Sequence, residues 1–171
     1  MSLKTLVLLS FYTAIALTIF LVEATIPLPL FFPGIKLGLS NIVTLVALLF
    51  LGAKPAGVML AARILLGAFL VGAPSTLLFS LLGGLCAFLT MAEFLRFAPK
   101  MPVWVVSIFG AIAHNAGQLL AAFFYLQTSA LIFTYAPILL AAAIITGAFT
   151  GLCATRLIPY RSWLAPGSGD R

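Results

Sequence analysis

The charged residues of this chain fall almost entirely at the junctions between long apolar runs, and that spacing limits the fold more than any other feature. A bilayer-spanning helix needs ~20 consecutive apolar residues, within a range of about 17–25. Runs of that kind cover residues 5–22, 35–51, 56–71, 76–95, 103–126 and 131–157. Pro27 to Gly34, Gly52 to Pro55, Gly72 to Ser75, Arg96 to Pro102 and Gln127 to Ser129 interrupt them. Only 7% of the 171 residues are charged and 64% are hydrophobic, with a mean hydropathy of +1.27. A soluble domain carries about 25% charged residues, so this chain cannot cover a water-facing surface. The expectation is an all-α membrane protein, a single integral domain over residues 1–171 with six transmembrane helices and a polar tail at 159–171. Tyr160 and Trp163 are its interface anchors. The first run follows Lys4 and ends at Glu23-Ala24-Thr25 without an A-x-A cleavage pattern, so it reads as a retained span rather than a signal peptide.

Loop charge orients the bundle. With both termini on one side, that side holds Lys4, Lys54, Arg96, Lys100, Arg156, Arg161 and Arg171. Lys36 alone among the basic residues outside the spans faces the other way. This asymmetry predicts an N-in, C-in topology and accounts for the net charge of +6. The basic residues are scattered, so no nucleic-acid partner is implied.

Ionisable and polar groups at membrane depth are expensive, and each is a candidate for function. Arg63 lies mid-way along the third run, where insertion costs ~2.5–3.5 kcal/mol. Either it binds an anionic group of a small-molecule substrate, or it ties the bundle together through Glu23 or helix-terminal carbonyls. The fifth run carries His114, Asn115 and Gln118. His114 and Gln118 are four apart and share a helix face, while Ala113, Gly117 and Ala121 form a small-residue stripe on another. These polar groups either line a ligand pocket or make interhelical hydrogen bonds. Glu23 and Lys36 bracket the first outer loop, where the simpler reading is a rim salt bridge. The segment Pro33-Gly34-Ile35-Lys36-Leu37-Gly38-Leu39-Ser40-Asn41 is rich in backbone-permissive residues. Unwound backbone at membrane depth is tolerated where it lines a cavity, which would turn Lys36 and Asn41 toward a ligand. Ser10, Ala14 and Thr18, like Ala143, Gly147 and Gly151, place a small residue at every fourth position. Such stripes pack helices closely within the chain or dock a membrane partner.

The chemistry of catalysis is missing. Asp170, in the tail, is the only aspartate. No carboxylate pair serves general acid–base work, and no P-loop binds ATP. His114 has no second His, and Cys86 and Cys153 have no metal spacing. The chain is therefore expected to be no enzyme by itself, with no metal and no cofactor.

The Pro33–Leu45 segment, Arg63 with Leu65-Leu66-Gly67, Gly83-Gly84 and His114-Asn115-Ala116-Gly117-Gln118-Leu119 resemble the Gx transporter family over roughly residues 5–157. That family also carries the label heptaprenyl diphosphate synthase component I. It is similar to the S components of energy-coupling factor (ECF) transporters, bacterial cytoplasmic-membrane proteins that capture vitamins or cofactor precursors. The resemblance implies a transmembrane coupling subunit and two cytosolic ATPases as partners. It also implies a substrate site at Arg63, Asn41, His114, Asn115, Gln118 and Lys36. A lid at residues 26–36 would include Pro29, Phe31, Phe32, Pro33 and Gly34. Ser10, Ala14 and Thr18 would dock the coupling subunit, though they depart from the family's Ala-x-x-x-Ala. The component I label implies instead a non-catalytic accessory subunit of polyprenyl diphosphate synthesis.

Overall fold

The computed structural model describes residues 3–26, 36–127 and 130–161, with the side chains of 126 and 130–134 left aside. The lid residues Pro29, Phe31, Phe32, Pro33 and Gly34, the polar 128–129 and the tail from 162, Trp163 included, lie outside the described residues. The rest is helical: α1 (Leu3–Thr25), α2 (Asn41–Leu51), α3 (Ala53–Val71), α4 (Pro74–Phe97), α5 (Val103–Leu126) and α6 (Ala130–Leu157), with a 3₁₀ turn at Ile158–Tyr160. Five of the six are long and apolar enough to cross a bilayer. The chain is thus a multi-pass membrane protein.

α2 departs from expectation. It starts at Asn41, not at residue 35, and has 11 residues. At 1.5 Å per residue it rises about 17 Å, short of the ~30 Å hydrocarbon core. Gly38 causes the late start. Its φ of +77° lies in the left-handed region that glycine enters at no steric cost. The Asn41 N–H then bonds the Gly38 carbonyl at 2.9 Å and begins the helix. α2 needs no full span because it is wrapped by its neighbours: Asn41, Val43 to Leu48 and Phe50 are all buried. A helix apolar all round belongs inside. The tight turn expected at Gly52-Ala53-Lys54-Pro55 contracts to Gly52 (φ +84°), and Pro55 sits in the first turn of α3, where a missing N–H is harmless.

Small residues close the α4–α5–α6 half. A Cβ on Gly117 would sit 2.5 Å from the Leu82 carbonyl oxygen. Cβ atoms on Gly147 and Gly151 would meet the α5 backbone at Ile108 and Trp104, at 2.7 and 2.5 Å. The α6 stripe is therefore spent inside the chain, where close helix approach gains dispersion contacts that lipid cannot supply. Ser107 and Thr150 hydrogen-bond across the same seam at 2.9 Å.

The outer surface is apolar, with Leu3, Phe11, Leu65, Phe69, Phe124, Ile145 and Phe149 more than half exposed. Inside, the two ends of the bundle differ. One end is an apolar core built from Leu9, Tyr12 and Ala16 of α1, the C-terminal part of α2, Ala56 and Met59 of α3, Ala87 and Met91 of α4, Val106 of α5 and Ala154 of α6. The other end holds the buried polar residues Glu23, Ser40, Asn41, Arg63, Ser80, His114, Asn115 and Gln118.

Candidate functional site

The polar end is assembled by alternating helix directions. The C-terminal part of α1 supplies Phe20 and Glu23, the entry to α2 supplies Lys36, Gly38, Ser40 and Asn41, and α3 supplies Arg63. Ser80 comes from α4, and His114 and Gln118 come from α5. Nine of these residues, all but Asn41, enclose a cavity of about 10 Å³. That is room for about one water.

Arg63 is 2% exposed, one of the largest fully buried side chains. Its Nη1 donates to Ser40 Oγ at 3.0 Å, while Nε and Nη2 have no partner. Arg63 therefore bonds neither Glu23 nor a helix end, the two structural partners the sequence offered. Its guanidinium lies 5.6 Å from the centre of the Phe20 ring. Lys36 Nζ stands over the same ring, 3.3 Å from its centre, also without a hydrogen-bond partner. A cation on an aromatic face is favoured when desolvated. Burial pushes the Lys36 amine down to about 8; the Glu23 charge opposes that shift and the Arg63 charge adds to it.

The rim salt bridge expected at Glu23 and Lys36 is not what forms. Glu23 is 2% exposed, and its Oε1 accepts the Gly38 N–H at 2.5 Å, leaving Oε2 unpartnered. This bond falls at the left-handed turn of Gly38. Gly38 also has no room for a side chain: a Cβ would fall 2.8 Å from His114 Cδ2 and 2.9 Å from Asn41 Nδ2.

On α5 the expected pair holds together. His114 and Gln118 bond at 3.0 Å. With its amide oriented to suit both neighbours, Gln118 accepts from His114 Nε2, accepts the Lys36 N–H at 3.1 Å and donates to the Lys36 carbonyl at 3.0 Å. One side chain thus clamps both backbone groups of Lys36 to α5. Nδ1 of His114 has no hydrogen-bond partner and lies against Gly83, where a Cβ would be 3.0 Å away.

Two of the expected site residues stand apart from the cavity. Asn115 turns to α6, its Nδ2 donating to the Leu139 carbonyl at 2.7 Å. Asn41 is buried beside Gly38 but does not line the void, and neither end of its amide is bonded. Sequence reasoning missed Phe20 and Ser80 as lining residues; a phenylalanine and a single hydroxyl in apolar runs carry no signal to separate them from lipid-facing neighbours. Among the described residues no three His, Cys, Asp or Glu side chains gather for a metal.

The α1 stripe faces outward. Ser10 and Ala14 line an open groove of about 520 Å³ with Leu6, Leu9, Thr13, Leu17, Val58, Ala62 and Leu66. The hydroxyls of Ser10 and Thr18 bond back to the Leu6 and Ala14 carbonyls at 3.1 and 2.9 Å, so they can face lipid without an unpaired donor.

No curated protein and no solved structure shows significant similarity to the chain. The family model for heptaprenyl diphosphate synthase component I matches residues 12–157, most of the chain, and the chain belongs to that family.

Proposed function

We propose that the chain is a non-catalytic membrane subunit of the component I type, and that its contribution is a cationic binding site at the polar end of the bundle. The family name supports a subunit role with a partner subunit, and the partner proposed here is a soluble prenyl synthase. The observation that carries the site is Arg63, a buried guanidinium with Nε and Nη2 unpartnered. An unpaired buried charge is strongly unfavourable unless something complements it. Lys36 adds a second cation and Glu23 is the single carboxylate lining the void, so the missing complement is an anionic group. Arg63, Lys36, His114, Gln118 and, once the Lys36–Ser40 segment lifts, Asn41 are the residues proposed to hold it. Asn115 supports them by fixing α5 to α6. The one-water void means that loading requires that segment to move. Both termini are proposed to lie on the cytoplasmic side of a bacterial cell membrane. The shared core cluster of Leu9 and Ala154 and the loop charges support this.

A second reading is favoured by one feature: the cluster gathers at the end of the bundle where α1 finishes and α2 begins. In that reading the chain is an S-component-like subunit of an ECF-type uptake transporter. It would bind a small anionic vitamin or cofactor precursor under a lid at 26–36. It would dock a coupling subunit through Ser10, Ala14 and Thr18, with cytosolic ATPases as the motor. Gentle purification of the tagged chain from its native membrane separates the two. A soluble prenyl synthase in the eluate supports the first reading; a coupling subunit with ATPases supports the second and overturns the first. Native mass spectrometry of the same sample reads the bound anion. Retention of that anion by Arg63→Ala would remove the site assignment from both.

A further inference from the structure

The polar cavity is lined by two cations, Arg63 and Lys36, and one carboxylate, Glu23. With His114 neutral, the cluster is short of a single negative charge. Buried charges are stable when paired, so its complement is a monoanion. The free donors give the shape of that complement. Nη1 of Arg63 is spent on Ser40 Oγ at 3.0 Å, while Nε and Nη2 have no partner. The N–H bonds of Nε and Nη2 run parallel along one edge of the guanidinium, the edge that pairs with both oxygens of a carboxylate. α4 adds no side chain on the Nη2 side, where a Cβ on Gly84 would lie 3.3 Å away. Glu23 sets the charge that the site accepts. Its Oε1 takes the Gly38 N–H, its Oε2 is bare, and both Lys36 and Arg63 act on it through space. When the Lys36–Ser40 segment lifts to load the site, the Gly38 N–H leaves with it and the carboxylate meets the incoming group. A dianion is repelled twice as strongly as a monoanion of the same size. Once bound, it would leave the cluster net negative.

We infer that Glu23 is a charge-selecting residue, and that the group it admits to Arg63 is one carboxylate, not a diphosphate or other polyanion. This deepens the anion site proposed above and rests on it, with the same loading route. Phosphate monoesters and diphosphates also offer two oxygens to the guanidinium edge. Charge, rather than shape, therefore decides between them and a carboxylate.

The test uses the full-length protein in nanodiscs of neutral phosphatidylcholine at pH 7, below the Lys36 value of about 8, so that the amine is charged. The probes are oxamate and oxalate, which share a shape and differ by one charge, and inorganic pyrophosphate. Each is titrated against the thermal midpoint, which rises as the folded state binds. Oxamate is expected to bind wild type saturably, at least about tenfold tighter than oxalate or pyrophosphate. Glu23→Gln keeps an acceptor for the Gly38 N–H and removes the charge. It is expected to tighten oxamate about tenfold and oxalate about a hundredfold, because the lost repulsion acts on two charges. Oxalate or pyrophosphate binding wild type as tightly as oxamate overturns the inference even where Glu23→Gln fails to fold. An unchanged oxamate-to-oxalate ratio in a folded Glu23→Gln removes Glu23 from the selection. Loss of the oxamate response when phosphatidylglycerol is added to the nanodisc overturns the carboxylate and makes the site one for a lipid phosphodiester. No response to any of the three probes in wild type, or oxamate binding that Arg63→Gln leaves intact, sinks the anion site beneath the inference as well.

Discussion

Gln118→Ala should open the polar end of the bundle without unfolding the rest. The wild-type amide makes two bonds to the Lys36 backbone and one to His114. Side-chain hydrogen bonds inside membrane proteins average ≈ 0.6 kcal/mol, with a maximum near 1.7. The two bonds to Lys36 therefore hold the segment by about 1.2–3.4 kcal/mol. At 1.4 kcal/mol per decade, local opening becomes roughly 10- to 300-fold more frequent once they are lost. Amide hydrogen exchange reads this directly. The Lys36 amide loses its acceptor in the variant, and Gly38 should follow because its bond to Glu23 depends on the segment staying down. Amides in α5 and α6 should change by far less. Asn115→Ala supplies the control, since its bond to Leu139 lies away from the cavity. Unchanged protection at Lys36 and Gly38 in Gln118→Ala would refute the idea that this side chain is the latch.

Packing and titration give two further expectations. Gly117→Ala forces a methyl onto the Leu82 carbonyl and should lower stability by about 1–3 kcal/mol in a reversible SDS titration, whereas Gly57→Ala meets only Phe88 Cζ at 3.5 Å and should be near neutral. Lys36 has a folded value near 8 against 10.5 in its ordinary state, so between those two pH values the unfolded chain holds a proton that the folded chain has released. Stability should then rise with pH across that window and level off above it; the thermal midpoint of wild type relative to Lys36→Met should climb from pH 8 toward 10.5, and a flat difference would show that the amine is solvated.

The helices are legible because a bilayer demands apolar runs of fixed length, and Val103–Leu126 matches its sequence boundaries residue for residue. α2 misleads for the same reason. The stretch before Asn41 is apolar enough to count as helix, and it takes the left-handed φ of Gly38 and its bond to Glu23, fifteen residues away in the chain, to show that Gly38 lies outside it. Rarity marks Arg63, His114 and Gln118, since polar side chains in apolar runs stand out. Glu23 is visible but misplaced, because a residue at a span's edge reads as rim until the fold turns it inward. Asn115 groups with its neighbours by sequence adjacency, yet neighbouring positions on a helix point about 100° apart, which sends its amide to α6 instead.

Whether the cluster ties helices or binds a ligand comes down to the sign of one stability change. A structural tie should lower stability when removed. A binding site left short of its ligand should do the reverse. Here Arg63 Nε and Nη2, Lys36 Nζ and Glu23 Oε2 are all buried without hydrogen-bond partners. Each unsatisfied buried group costs about 1–3 kcal/mol, more when charged, and a void of about 10 Å³ admits one water, with two to four bonds to share among them. Replacing both charges together, Glu23→Gln with Arg63→Met, keeps the volume and an acceptor for the Gly38 N–H while removing the uncompensated pair. Such exchanges are often neutral or stabilising by about 1–4 kcal/mol. The double variant should therefore match or exceed wild type in an SDS-unfolding titration while failing to retain the anion proposed for this end. A double variant destabilised by more than about 3 kcal/mol would mean that Glu23 and Arg63 hold the bundle together, and the case for a ligand at this end would fall with it.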